Sequence, residues 1–392
     1  MEQLAKLAEL VAPRFPPRLL VLQPTTYCNL DCSYCYLQHR DSRARMSDAT
    51  LDAISSNILL PCPQDRRPTL IWHGGEPMTL PPAWYAAAFE RLRVGSGGAP
   101  LEHAFQTNGV GTNDAWITLW RRWGVSIGLS LDGPNDIHDA RRRTRAGGGS
   151  HGLTMAAAAR LQSEGIPFHV ISVLTPASLA APDKMYDFYR SAGISHVAFN
   201  VEEDEGQDGG SSLSRAPGTV AAYCAFLARF IARTAADPKP VICREIEGVR
   251  SLIRGRHEDR GRNLQVAPFE IVTVGVDGGL STFSPELLGV ADARFGNFTF
   301  GNVRDGGGLA AMARHPAYLR ARREIARGVR ACAQSCAYFE VCGGGAPSNK
   351  YFELGRLDGT ETLYCKLTIQ ATLETTLEAI ESRAARPEGV TE

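Results

Sequence analysis

Residues 19–36 read LLVLQPTTYCNLDCSYCY. The run LLVLQ (19–23) has the continuous apolar character of a strand covered on both faces, and Pro24 with Thr25 and Thr26 closes it. Three cysteines follow at once, Cys28, Cys32 and Cys35, with the spacing C-x3-C-x2-C. The same unit, an apolar run closed by a polar or glycine-containing stretch, recurs five times. TLIW (69–72) leads into HGGEP and HAFQ (103–106) into TNG; VSIGLSL (125–131) leads into DGPND, FHVISVL (168–174) into TPAS and HVAFNV (196–201) into EEDEG. Helix-length stretches lie between them, among them 47–60, which Ser47 can cap, 83–92, and one closing over 186–191. Six β-then-α units imply an α/β fold with a parallel sheet and right-handed crossovers. Spread over residues 18–235, they predict an incomplete, TIM-like (β/α)6 barrel rather than a closed eightfold one. Sites in parallel α/β folds gather at the C-terminal ends of the strands, so the six closing stretches predict one shared rim.

The 392 residues suit one large α/β body with an appendage. Lys plus Arg equals Asp plus Glu at 42 each, which gives no pull toward nucleic acid or a membrane surface. The main basic run, residues 141–143, is as short as an ordinary solvated face. No stretch approaches the roughly 18 apolar residues of a membrane helix, and MEQLAKLAELVAPRF lacks the marks of a signal peptide. A cytoplasmic protein is therefore expected, and there thiols stay reduced. The ten cysteines are unevenly placed: three in 28–35, four in 332–365, with Cys62, Cys224 and Cys243 scattered. The scattered three are expected to be small buried hydrophobes, whereas the clusters point to metal. Thiolates hold [4Fe–4S] clusters, which take four ligands, so three cysteines on one loop leave one iron open. A structural zinc site built from Cys28, Cys32, Cys35 and His39 is the competing reading.

The cysteine spacing after the first strand, with HGGEP (73–77) after the second, resembles the radical S-adenosylmethionine (SAM) superfamily. The resemblance implies a [4Fe–4S] cluster on Cys28, Cys32 and Cys35 whose open iron chelates the methionine end of SAM. One electron then cleaves the sulfonium and releases a 5′-deoxyadenosyl radical. It also implies that Gly74, Gly75, Glu76 and Pro77 lie along the methionine and that Tyr34 neighbours the adenine. SLDGPNDIHDARR (130–142) is similar to a segment of the sulfatase maturases and related peptide modifiers. That likeness implies Ser130 at the ribose and Arg142 at the SAM carboxylate, where a guanidinium pairs bidentately; Asn108 is expected in the same pocket.

Beyond residue 235 the pattern changes. A helix is predicted over about 242–254, and FEIVTVGVDGGLSTF reads as a hairpin turning at Asp277-Gly278. Further helices are predicted over about 309–327 and over 368–383. The segment looks short of apolar mass, so a bound cluster is expected to staple it. Cys332-x3-Cys336-x5-Cys342-GGGA and Cys365 resemble the SPASM extension of radical SAM peptide modifiers, which usually carries two auxiliary [4Fe–4S] clusters. Here Ala346 and Ser284 stand where that pattern has cysteines, and no cysteine lies between 243 and 332. The four that remain suffice for one auxiliary cluster, making two [4Fe–4S] clusters in all, with a zinc site as the alternative.

The resulting plan is a radical SAM partial barrel (18–235), a bridging region with the start of the hairpin (236–279) and a SPASM-like auxiliary-cluster domain (280–385). Too little chain precedes the barrel for a fused leader-binding module to be expected. FSPELLG, CAYFEVCGGGAPSNK and GTETLYC look most like the cyclophane-forming maturases paired with glycine-rich-repeat precursors. Such a maturase joins an aromatic ring carbon to a β-carbon of a ribosomally made peptide, with the auxiliary cluster a plausible electron acceptor. A thioether-forming maturase and a formylglycine-forming sulfatase-type maturase are the alternatives; the latter class relies on a full pair of auxiliary clusters. A non-catalytic iron–sulfur protein that binds peptides or senses redox state is the alternative of another class. The expected partners are a precursor peptide and an electron donor such as flavodoxin or ferredoxin. In the acidic loop after the sixth strand, Glu202 or Glu203 is expected to face the cavity as a base or a substrate contact.

Overall fold

The computed structural model describes residues 7–205, 210–255 and 261–384. Residue 385, the expected end of the last region, and Gly206 of the acidic loop lie outside the described residues. Six parallel strands form at the apolar runs: β1 (Leu19–Leu22), β2 (Thr69–Trp72), β3 (His103–Thr107), β4 (Ser126–Ser130), β5 (Phe168–Leu174) and β6 (His196–Val201). They stand side by side in sequence order, each parallel to the next. Three short strands extend the row. β7 (Ile242–Cys243) joins β6, while β8 (Ile271–Val274) and β9 (Leu280–Thr282) form the expected hairpin. That hairpin is also part of the main sheet, because β8 runs parallel to β1 with Leu19 opposite Ile271. The order β7-β6-β5-β4-β3-β2-β1-β8-β9 is open at both ends, as an incomplete barrel requires.

Alternation along each strand divides the sheet into two faces. Leu20, Leu22, Leu70, Trp72, Phe105, Ile127, Leu129 and Val170 are essentially fully buried beneath the helices. Trp72 alone meets Tyr85 edge-on at 5.3 Å and Phe89 at 5.4 Å, both from the helix Pro82–Gly95. Burying each such side chain contributes roughly 1.5–3 kcal/mol. Local signals set the helix ends. Ser47 accepts the Thr50 N–H and caps Asp48–Ile54; Asn113 caps Asp114–Trp123, and Gly124 closes it in the left-handed conformation at φ +60°.

Several expectations need correction. The helix of 309–327 is two, Gly308–Met312 and Pro316–Ser335. Pro316 has no N–H to continue the first helix but suits the opening turn of the second, which runs on to deliver Cys332. The C-terminal segment is not short of apolar mass. Phe269, Phe283, Phe295, Phe298, Phe300, Tyr318 and Ile325 are at most 2% exposed and share one core with Leu20, Leu22 and Trp72. A second core surrounds β5 and β6 and takes in Leu367 and Ala371 from the closing helical region. Cys62 and Cys243 are buried as expected, but Cys224 is half-buried.

Candidate functional site

The face of the sheet turned away from the helices lines a cavity of 510 Å³. Alternate residues of neighbouring strands make its floor: Val21, Ile71, Gln106, Gly128, Ile171 and Ile271 among them. Cys28, Cys32, Cys35, Tyr34, Gly75, Glu76, Asn108, Ser130, Arg142, Glu202 and Glu203 all reach the same cavity. Gly74 and Pro77 do not. Gly74 packs against Gln23, where a Cβ would come within 2.7 Å of that side chain. The Pro77 carbonyl accepts the Tyr85 hydroxyl at 2.8 Å.

The three thiols sit on one loop, with Cys32 buried and Cys28 and Cys35 half-buried. Burial pushes the Cys28 thiol up to about 12, with the Glu76 carboxylate adding to the effect; burial likewise pushes Cys32 up to about 11. Thiols so crowded and so desolvated ionise readily only beside positive charge, which a bound metal supplies. The loop is braced from β2 and β3. Gly75 adopts φ +60°, and a Cβ there would lie 2.5 Å from the Tyr27 carbonyl oxygen, so only glycine allows the two backbones this approach. Glu76 is 2% exposed. Its carboxylate accepts the Met78 N–H at 2.9 Å, the Asn108 N–H at 2.8 Å and the Thr107 hydroxyl at 2.6 Å. Asn108 in turn donates to the Asn29 side chain, between two of the cysteines, at 2.8 Å.

Across the cavity, Gln106 donates to the Ser130 hydroxyl at 2.8 Å. Arg142 is buried and paired with Asp132 at 2.9 Å through Nε, which leaves its terminal nitrogens as the donors for a carboxylate. Asp132 also accepts the Tyr34 hydroxyl at 2.5 Å and the Val173 N–H at 2.9 Å, and the guanidinium lies 5.3 Å from the Tyr34 ring centroid. Sequence reasoning missed Asp132, although it stands in DGPND directly after β4. A buried Arg and a half-buried Tyr with one common acceptor is a tertiary fact that no local spacing announces.

The acidic loop divides into two environments. Glu202 is buried and accepts the Ser212 hydroxyl. Glu203 accepts the Asn349 amide at 2.6 Å. Burial, reinforced by the Glu286 carboxylate, pushes Glu203 up to about 8; burial and Glu203 push Glu205 up to about 10. Burial raises Glu286 as well, and its Oε2 has no hydrogen-bond partner. Glu205 and Glu286 were not foreseen. Glu286 comes from the hairpin end in FSPELLG, some eighty positions from Glu203, and reaches the cavity only because β8 joins β1.

The C-terminal cysteines also converge. Cys332, Cys336, Cys342 and Cys365 line a separate cavity of 300 Å³. The Gly345 N–H points at the Cys342 sulfur at 3.1 Å, Gln370 at the Cys365 sulfur at 3.6 Å and Lys350 Nζ at the Cys332 sulfur at 3.5 Å. Burial pushes Cys365 up to about 11. Among the described residues, no three His, Cys, Asp or Glu side chains close on a point as the ligands of a single ion would. The four cysteines line one volume, and four thiolates are the ligand set a [4Fe–4S] cluster takes. Ser284 and Ala346 are both buried, and the Ser284 hydroxyl has no partner.

Comparison with known proteins agrees with this geometry. Residues 22–189 match the family model of the radical SAM superfamily. The uncharacterised protein sll1766 of Synechocystis is 38% identical over 375 residues, covering 93% of this chain and 92% of that protein. A serine-type anaerobic sulfatase-maturating enzyme of Bacteroides thetaiotaomicron is 27% identical over 197 residues, 48% of this chain and 47% of that enzyme. Among solved structures, anSMEcpe with bound AdoMet and Cp18Cys peptide superposes with a TM-score of 0.75 at 20% identity, covering 94% of this chain and 98% of that one. Streptococcus suis SuiB bound to precursor peptide SuiA gives 0.60 at 16% identity, covering 93% and 79%. At such identities the superpositions speak for the fold alone.

Proposed function

The chain belongs to the radical SAM superfamily of S-adenosylmethionine- and [4Fe–4S]-dependent enzymes, and from that premise we propose that it cross-links side chains of a ribosomally made precursor peptide. The bond joins an aromatic ring carbon to a β-carbon and closes a cyclophane. One observation supports this reading: a single cavity is lined both by Cys28, Cys32, Cys35, Ser130 and Arg142 and by Glu203, Glu205 and Glu286. Cys28, Cys32 and Cys35 would hold the cluster, and Tyr34, Gly75, Glu76, Asn108, Ser130 and Arg142 would hold SAM. Gly74 and Pro77 would shape the loop from behind. With both groups bound, the chemistry supplied is one-electron cleavage of SAM to a 5′-deoxyadenosyl radical.

The protein's own part is to place and protect. Arg142, pinned by Asp132, binds the SAM carboxylate, and Ser130, fixed by Gln106, binds the ribose. Val21, Ile71, Ile171 and Ile271 keep water from the floor, which holds two peptide side chains in the orientation ring closure needs. When the attacked ring regains aromaticity it gives up one proton and one electron: Glu203 is the nearby carboxyl that takes the proton once it is deprotonated, and the electron would pass to a second iron–sulfur cluster. Cys332, Cys336, Cys342 and Cys365 would hold a second cluster. Peptides bound to anSMEcpe and to SuiB in their solved structures support a peptide substrate for this fold.

The test is co-expression with a precursor peptide encoded nearby, followed by tandem mass spectrometry and NMR of the product. The expected product lacks two hydrogens per ring and shows a new carbon–carbon bond from an aromatic ring to a β-carbon. Kinship with the sulfatase-maturating enzymes favours a second reading, oxidation of a serine or cysteine to formylglycine. Serine oxidation also removes two hydrogens, so a hydrazide that captures aldehydes separates the two. Capture of an aldehyde, or a sulfur-to-carbon link by NMR, defeats the cyclophane assignment.

A further inference from the structure

Lys350 lies in the helix Pro347–Leu354, just after the Gly343-Gly344-Gly345 turn that follows Cys342. It is 3% exposed and follows Ser348 and Asn349, which are buried too. An ammonium taken out of water is costly unless an anion faces it. Among the described residues no Asp or Glu pairs with Lys350, and its hydrogen bond goes to the Cys332 sulfur at 3.5 Å. Room for this is built in: a Cβ on Gly345 would lie 3.2 Å from Lys350 Cε. The counter-charge for this buried cation is therefore sought among the four thiolates themselves.

We propose that Lys350 is a positioning residue for the iron–sulfur cluster held by Cys332, Cys336, Cys342 and Cys365, and that its ammonium raises the cluster's reduction potential. This rests on reading those four cysteines as cluster ligands. Reduction adds one electron from an external donor, taking the core from 2+ to 1+ and the core with its four thiolates from −2 to −3. No proton binds and no bond breaks. A fixed positive charge that donates to a ligand sulfur favours the more negative state, since cluster potentials follow net charge and hydrogen bonds to sulfur. The adjacent residue, Asn349, donates to Glu203 in the sheet cavity. Consecutive residues of one helix thus touch both sites.

The experiment uses the full chain with Cys28→Ala, Cys32→Ala and Cys35→Ala, reconstituted with iron and sulfide so that only the C-terminal cluster remains. Iron is counted, and the reduced fraction is read by EPR at a fixed applied potential. Lys350→Met is expected to lower the ratio of reduced to oxidised cluster at least tenfold, about 59 mV for one electron, while Lys350→Arg keeps it within threefold. An unchanged ratio in Lys350→Met, with iron retained, overturns the proposal. Iron lost from Lys350→Met and Lys350→Gln but kept in Lys350→Arg supports it, because the anionic cluster then needs the charge in order to bind. Equal loss in all three assigns Lys350 to packing and overturns it. If the parent binds no iron at all, it is the reading of the four cysteines that fails, and the proposal falls with it. In the complete holoenzyme the same comparison is made on the EPR signal that SAM does not alter.

Discussion

Asp132 and Arg142 show how single residues carry the site. Both are buried, and breaking such a pair by removing one partner typically costs about 3–5 kcal/mol, because an unpaired charge is left behind. The pair earns its place by aiming the guanidinium rather than by adding stability. Glu203 is the opposite case, a carboxyl held where ionisation is disfavoured. Burial and the Glu286 carboxylate push it up to about 8, whereas in the unfolded chain it ionises in the ordinary carboxylate range. Between those two values the native state keeps a proton that the unfolded state has lost. Stability therefore falls as pH rises through that window and levels off above about pH 8. Glu203→Gln removes this contribution, so the variant should gain on the parent as pH goes from 5 to 8. Thermal midpoints of both proteins at the two pH values check this, and parallel curves would show that Glu203 ionises freely. In turnover the sign reverses, since a base works only when deprotonated: activity that depends on Glu203 rises with pH toward 8.

At the scale of elements, the loop after β2 is a brace for the cysteine loop. Gly75 sits at φ +60° with its Cα facing the Thr25–Tyr27 backbone, and Glu76 bridges from this loop to the start of the loop after β3. Gly75→Ala adds a methyl group where 2.5 Å separates it from a carbonyl oxygen, so the cysteine loop must move. The expected result is loss of most of the iron bound through Cys28, Cys32 and Cys35, with the C-terminal iron kept. Full iron loading and unaltered SAM cleavage in Gly75→Ala would show that the loop tolerates the shift. These elements also show what was legible in the sequence. The six main strands were readable because each is a short apolar run closed by a turn signal, and so was the rim on which Cys28, Asn108 and Ser130 meet. The pairing of β8 with β1 was not, since IVTV followed by Asp277-Gly278 signals a hairpin and says nothing of a parallel neighbour some 250 positions earlier. Glu286 was hidden for that reason. The break before Pro316 was legible in principle, since a proline cannot continue the helix that precedes it. The role of Lys350 in CAYFEVCGGGAPSNK was not legible, because a lysine in sequence gives no sign of burial.

The whole molecule joins two thiol sites through one continuous packing. The hairpin β8–β9 continues the barrel sheet, and aromatic residues from 269 to 318 share a core with β1 and β2, so the cysteine quartet is set into the same body as the barrel. Cys28, Cys32 and Cys35 stand outside that core, on a loop facing the cavity. Removing their sulfurs should thus leave the packing, and with it the quartet, undisturbed. Seven clustered cysteines in a three-and-four division are expected to hold two [4Fe–4S] clusters, or about eight iron atoms per chain when fully loaded. The chain with Cys28→Ala, Cys32→Ala and Cys35→Ala is expected to unfold cooperatively near the parent's midpoint, to keep about four iron atoms and to release no 5′-deoxyadenosine from SAM under reduction. Iron analysis, circular dichroism and chromatography of the SAM products measure the three quantities separately. About twelve iron atoms in the parent would mean a third cluster with a ligand other than cysteine, for which the buried, unpartnered hydroxyl of Ser284 is the first place to look. About four in the parent and none in the variant would leave the C-terminal quartet without iron. Deoxyadenosine released by the variant would separate SAM cleavage from the cysteine loop and remove the basis for placing the chemistry in this cavity.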